Sequence, residues 1–145
     1  MIEGVQTAIF NSKNELLIAK RSKIKKLAPE RWNLIGGKIE EGESVIYAAL
    51  REIREEVSLF LRESNILEVN LKKVSWNNKD YFYCNTLVAY SEKDKVILNV
   101  EHSEYQWINK KEISKFNIVG YSKEELLKLF EIFENEKVFL KKDLF

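Results

Sequence analysis

Cysteine, proline, histidine and methionine are almost missing from this sequence: Cys84, Pro29, His102 and Met1 are the sole members of their kinds. One cysteine excludes an internal disulfide and any metal site built on paired cysteines. Its setting, YFYCNTLV, reads as a small core residue on a strand rather than a catalytic thiol. With one proline and five glycines there is no linker, repeat or low-complexity stretch, so residues 1–145 are read as a single domain. No apolar run is long enough to span a membrane. The opening MIEGVQTAIF lacks a basic segment followed by a long apolar one, so no secretory leader is expected and a cytoplasmic location is. An excess of either charge is missing as well. The formal net charge is +1, which gives no global field for a nucleic acid or a membrane surface. His102 lies in a polar stretch and reads as a bystander.

What is there is ordinary in amount and uneven in placement. Hydrophobic residues make up 45% and charged residues 32%, the balance of a globular chain with a real core. VQTAIF (Val5 to Phe10) and ELLIAKR (Glu15 to Arg21) are β-compatible runs parted by NSKN, a hairpin pattern. A basic loop follows, with Lys20, Arg21, Lys23, Lys25, Lys26 and Arg31, and then a short strand at WNLIG. LKKVSW and YFYCNTLVAY flank NNKD and predict a second hairpin, and VILNV and YQWI predict short strands. SKEELLKLFEIFENE predicts an amphipathic helix with a capping box from Ser122 to Glu125 and a buried stripe of Leu126, Leu127, Phe130 and Phe133. A mixed sheet with helices packed on it is the simplest α/β architecture for this order.

The informative stretch is GKIEEGESVIYAALREIREEVSL, Gly37 to Leu59. A helix from Val45 to Val57 with Ser44 as N-cap would bury Ile46, Ala49, Leu50, Ile53 and Val57. Glu52, Glu55 and Glu56 are then expected to cluster on the other side, near the C-terminal end. That is the negative pole of the helix dipole, where cations are favoured. Arg51 stands four residues before Glu55 and can pair with it. Three carboxylates this close repel one another and call for a cation, and oxygen donors of this kind suit Mg²⁺ or Mn²⁺. A charged helix face is commonly no more than a solvated one. The preceding IGGKIEEGE changes the balance, because glycines at a strand end let backbone approach a ligand and offer it carbonyls.

In this register the sequence resembles the Nudix hydrolases. Their box reads Gly, five residues, Glu, seven residues, Arg-Glu, an aliphatic residue, any residue, Glu-Glu, any residue, Gly, aliphatic. Gly37, Glu43, Arg51, Glu52, Ile53, Glu55, Glu56 and Leu59 match it, and Ser58 stands where the final glycine would end the helix. Serine is a poorer terminator there but replaces no catalytic group. RWNLIGGK and EHSEYQWI extend the resemblance toward the whole chain.

The resemblance implies a Nudix-type α/β/α sandwich and hydrolysis of a nucleoside diphosphate linked to a further group, with Mg²⁺ or Mn²⁺ as cofactor. Carried onto this chain, it makes Glu52, Glu55 and Glu56 the metal carboxylates and the Gly36 carbonyl a backbone ligand. Glu52 or a neighbouring carboxylate activates the water, Arg51 orients the acids, and Glu43 fixes the loop against the helix. A further acid outside the box is expected at Glu104, with Glu101 as second choice. Lys38 is the candidate for the phosphates, and the basic loop is either a second one or a solvated surface. RWNLIGGK looks like the corresponding stretch of nucleotide-pool enzymes acting on purine nucleoside triphosphates, where the asparagine matching Asn33 touches the base. Trp32 either stacks on the base or closes the pocket. FNIVGYS has none of the acids with which such relatives read an oxidised purine, and the marks of ADP-ribose, NADH and coenzyme A enzymes are absent. Trp76 lies where diadenosine polyphosphate enzymes carry an aromatic, though a hairpin core fits it better; Trp107 alternates like a core strand residue.

The function expected is therefore hydrolysis of a (d)NTP to a monophosphate and pyrophosphate, with a small nucleotide as partner. A non-catalytic nucleotide or RNA sensor and a hydrolase of dinucleoside polyphosphates or RNA 5′ ends are the alternatives. Homodimers are common in the family, but no stripe in this sequence marks an interface.

Overall fold

The computed structural model describes residues 2–25, 29–76 and 81–142. Its strands are β1 (Ile2–Phe10), β2 (Leu16–Arg21), β3 (Trp32–Asn33), β4 (Ile35–Lys38), β5 (Ile66–Trp76), β6 (Tyr81–Tyr90) and β7 (His102–Ile108). Two α-helices, α1 (Val45–Val57) and α2 (Lys123–Leu140), and short 3₁₀ turns at Glu63–Asn65 and Lys110–Lys115 complete it.

β1 is the pivot. It runs parallel to β6 from Ile2↔Phe82 to Phe10↔Tyr90 and antiparallel to β4 from Gly4↔Lys38 to Thr7↔Ile35. β5 closes one side of the sheet by antiparallel pairing with β6, which is the expected second hairpin. β2 pairs antiparallel with β3 and β7. The expected first hairpin is reduced to its turn: among the described residues β1 and β2 share the pair Phe10↔Leu16. The reason is competition, since β4 occupies residues 4–7 of the β1 edge that a longer hairpin would use. WNLIG breaks at Leu34 for the same reason, because Trp32–Asn33 pair with β2 and Ile35–Lys38 with β1.

Strand side chains alternate between faces, so one sheet feeds two cores. Val5 and Ile9 of β1 join Ile35, Leu87 and the α1 residues Ala49 and Ile53. Ala8 and Phe10 join Val88 and the α2 residues Phe130 and Phe133 on the opposite face. Phe10 stacks on Phe133 at 4.5 Å and meets Phe130 edge-on at 4.9 Å. The result is an α/β sandwich with a mixed sheet between two helices.

Both helices begin where their caps predict. Ser44 Oγ accepts from Tyr47 N, and Ser122 Oγ and the Glu125 carboxylate close a reciprocal capping box. In α2 the stripe is Leu126, Leu129, Phe130 and Phe133, with Leu127 only partly buried. In α1 it is Ala48, Ala49, Ile53, Glu56 and Val57, with Ile46 and Leu50 partly buried. Glu56 therefore does not lie on a face opposite the core. Ala49, Ile53 and Glu56 follow one another at i, i+4 and i+7, and the carboxylate sits at the rim of the apolar stripe.

VILNV is not a strand. Its backbone donors go instead to the end of α1: Ile97 N to Val57 O at 3.2 Å and Asn99 N to Glu56 O at 3.1 Å. They satisfy carbonyls that a helix C-terminus leaves without partners. Ser58 ends the helix in a left-handed conformation, φ 57°, although it is not glycine. No helix among the described residues is long and apolar enough to cross a membrane.

Candidate active site

Two glycines set the distance between sheet and helix. A Cβ on Gly36 would lie 1.9 Å from the Val5 carbonyl oxygen, so backbone packing between β4 and β1 requires glycine there. A Cβ on Gly37 would lie 2.5 Å from Glu52 Oε1. The missing side chain is the space in which the Glu52 carboxylate rests against the strand.

Arg51 gathers the surrounding acids. Its Nε and Nη2 donate to Glu43 Oε2 and Oε1 at 2.6 and 2.8 Å, a bidentate pair. Nη1 donates to Glu52 at 2.9 Å and Glu55 at 3.2 Å, and Nη2 also reaches the Lys38 carbonyl at 3.0 Å. Glu43 in turn accepts from Glu40 N, so loop, strand end and helix meet on one guanidinium. That guanidinium holds the Glu43 carboxyl below the usual carboxylate range, and Glu43 raises the pKa of Arg51. The positive charge called for by acids at the wrong pole of α1 is thus partly resident in Arg51.

Glu56 receives none of it. One oxygen from each of Glu52, Glu56 and Glu101 lies within 4.8 Å of the others. Glu56 is 3% exposed, its Oε1 lies 2.6 Å from Nε2 of the equally buried His102, and its Oε2 is buried with no hydrogen-bond partner among the described residues. Burial pushes the Glu56 carboxyl well above its ordinary pKa, and the nearby Glu52 and Glu101 carboxylates add to the rise. Glu101 is held by Lys25 Nζ at 2.8 Å, which keeps its carboxyl below the ordinary value. An unpartnered buried carboxylate oxygen beside two further carboxylates is the environment a divalent cation relieves, and hard oxygen donors fit Mg²⁺, Mn²⁺ or Ca²⁺. The donor set therefore fits the metal the sequence implies.

The other expected site residues spread around this centre. Glu55 is half exposed at the outer edge. Glu104, the first choice for an acid outside the box, pairs with Lys20 across β7 and β2 at 3.5 Å and is not in the cluster; Glu101 is. Glu101 lies in the turn before β7, whereas Glu104 lies within the strand opposite Lys20. The Lys38 side chain is exposed beside the loop. Asn33 is buried with Oδ1 unpartnered among the described residues, and Trp32 meets Phe116 of FNIVGYS edge-on at 5.3 Å. Lys26 and the side chain of Trp76 lie outside the described residues. Trp107 is partly buried and donates Nε1 to the Asp94 carbonyl. Cys84 is partly buried and its thiol is pushed up to about 12, so it stays protonated at neutral pH.

His102 does not lie in the polar surroundings its sequence suggests. It opens β7 fully buried against Glu56. The available signal was its place next to Glu101, but nothing in the sequence says that this turn docks on α1.

Comparisons with known proteins agree with the box. The family model of the NUDIX domain matches residues 3–130. The chain is 26% identical over 110 residues to the nucleoside triphosphatase NudI of Salmonella paratyphi B, covering 70% of this chain and 78% of that one. Its fold is similar to the MutT protein of Methanosarcina mazei Go1, with TM-score 0.74 and 25% identity over 97% of this chain and 96% of that one. It is also similar in fold to an Ap4A hydrolase of C. elegans, with TM-score 0.71 and 19% identity over 95% of this chain and 98% of that one.

Proposed function

The chain belongs to the Nudix family of hydrolases, and we propose that it cleaves a nucleoside triphosphate, (d)NTP, to the monophosphate and pyrophosphate with Mg²⁺ or Mn²⁺ as cofactor. The observation that carries this reading is the unpartnered, buried Oε2 of Glu56 within reach of Glu52 and Glu101. Glu52, Glu56 and Glu101, with the Gly36 carbonyl, would hold the metal, and Glu55, half exposed at the outer edge, would add a further carboxylate. The metal, once bound, supplies charge neutralisation at the phosphate oxygens and a lowered pKa for water.

The chain's own groups do the rest. A phosphoanhydride is anionic and repels a nucleophile, so positioning and fixed charge dominate the barrier. Arg51 keeps Glu52 and Glu55 in place, and Glu43 keeps Arg51 in place. Glu52, lodged against Gly37, takes the proton of the attacking water. Lys38 meets the phosphates. Asn33 Oδ1, buried without a partner, accepts from a base N–H, and the Trp32 ring lies beside it in sequence as a wall or stacking surface. The working unit is one domain over residues 1–145 acting on a small nucleotide in the cytoplasm.

The test is a panel of (d)NTPs with Mg²⁺, following monophosphate and pyrophosphate. Turnover of at least one is expected, and Glu52→Gln and Glu56→Gln should each lower it by at least about 100-fold. No turnover of any nucleotide in the presence of metal overturns the reading; nucleotide binding without product moves the chain to a sensing role.

A further inference from the structure

His102 is the chain's one histidine, and the proposed reaction gives it no chemical step. Its position is nonetheless tightly specified. Its Nε2 lies 2.6 Å from Glu56 Oε1, and both side chains are almost wholly excluded from solvent, 2% and 3% exposed. The turn that presents it is tied to α1 at the same residue, because Asn99 N donates to the Glu56 carbonyl. That turn is closed on itself as well: Glu101 N donates to Asn99 Oδ1 at 3.0 Å, and His102 N donates to the Asn99 carbonyl at 3.3 Å. Glu56 is thus gripped by backbone and by side chain, and the gripping turn carries Glu101.

Resting on the metal-dependent reading above, we propose that His102 is a positioning residue for the metal centre. It donates Nε2–H to Glu56 Oε1, fixes that carboxylate's rotamer with Oε2 as the free donor oxygen, and locks the Glu101 turn to α1. The tautomer follows from the surroundings. The ring nitrogen nearest a carboxylate is Nε2, which as an N–H donates to Glu56 Oε1, and the ring also lies within reach of the Lys20 backbone. Partners in the outer shell of a metal site commonly act in this way, through the orientation of a ligand rather than through contact with the ion.

Mn²⁺ titrations followed by the electron paramagnetic resonance of the free ion test this on the full chain. His102→Ala should weaken Mn²⁺ binding about 10- to 100-fold. His102→Gln, whose amide N–H reaches toward the same oxygen, should restore most of the loss. The Mg²⁺ concentration needed for half-maximal turnover should rise in parallel, with nucleotide KM at saturating Mg²⁺ unchanged; a merely structural role would lower the active fraction without moving metal affinity. Because the histidine is unique, ¹⁵N spectra of the unmodified protein decide the matter even if His102→Ala fails to fold. They should show one Nε2–H tautomer whose signals shift when Mg²⁺ is added. Wild-type Mn²⁺ affinity in a folded His102→Ala, no restoration by a folded His102→Gln, or imidazole signals indifferent to Mg²⁺ would each overturn the proposal. If the wild-type chain takes up no Mn²⁺ at all, the metal-dependent reading falls and this one with it; if it does and the alanine variant matches it, only this one falls.

Discussion

At the scale of the residue, the site is a problem of unequal carboxylates. Glu43, Glu52 and Glu55 share the Arg51 guanidinium, while Glu56 meets His102 and Glu101 meets Lys25. Removing one charge should therefore have unequal consequences. Glu55→Gln should slow turnover less than Glu56→Gln, because water replaces a half-exposed oxygen at the rim and not a buried one; steady-state kinetics of the two variants side by side check the order. Gly37→Ala is the sharper test of geometry. Its methyl would meet the Glu52 carboxylate at 2.5 Å, and the side chain, being flexible, moves aside. Metal affinity and turnover should fall at least about 10-fold with little loss of melting temperature. A Gly37→Ala enzyme of normal activity would show that Glu52 works from somewhere else.

At the scale of the element, both helices carry their own boundary conditions. Ser58 holds a left-handed backbone at φ 57°, a conformation that costs a non-glycine residue about 1–2 kcal/mol, part of which glycine returns as chain entropy. Ser58→Gly should stabilise the protein by about 0.5–1 kcal/mol, read from denaturant or thermal melts, and leave turnover unaltered. In α2, Glu125 closes the capping box and pairs with Lys73 at 2.7 Å. That pairing lowers its pKa, so the folded chain binds fewer protons there than the unfolded one. The stability it contributes is present above the ordinary value of 4.5 and is lost as pH falls through the folded-state value. Glu125→Gln keeps the capping geometry and removes the charge. It should lower stability at neutral pH by roughly 0.5 kcal/mol and flatten the decline below pH 4.5 in an acid titration followed by circular dichroism.

These elements were also the legible part of the fold. Caps, helical spacing and the β5–β6 hairpin are written locally, and the helix starts at Val45 and Lys123 follow from Ser44 and Ser122. What could not be read is competition for partners. Nothing in VQTAIF says that β4 will displace β2 from its edge, and nothing in VILNV says that its amides will go to a helix end. The same limit applied at the site. The box spacing brought Gly37, Glu43, Arg51 and Glu52 together, whereas the burial of Glu56, the choice of Glu101 over Glu104 for the cluster and the contact of His102 all depend on where the turn before β7 docks.

At the scale of the whole molecule, the three-carboxylate cluster joins parts of the chain distant in sequence, α1 and the turn before β7. A ligand bound there stabilises the folded state over the unfolded one. At about 100 times its dissociation constant the gain is about 2.7 kcal/mol, or roughly 5–10 °C in melting temperature. Adding Mg²⁺ to metal-free protein should produce a rise of this size, EDTA should reverse it, and Glu56→Gln should abolish it in differential scanning calorimetry. An unchanged melting temperature at saturating Mg²⁺ would mean that the cluster does not bind the ion in the folded chain.

The parallel ladder from Ile2↔Phe82 to Phe10↔Tyr90 sets the order in which a newly synthesised chain can assemble. The first strand leaves the ribosome long before the neighbour that pairs with its full length exists, and although α1 follows early enough to cover Val5 and Ile9, Ala8 and Phe10 wait for α2. Such long-range pairing is slow to form and exposed while it waits. A fragment stopped short of Tyr81 should therefore collect as insoluble material in the cell, while a chain carried through α2 stays in solution.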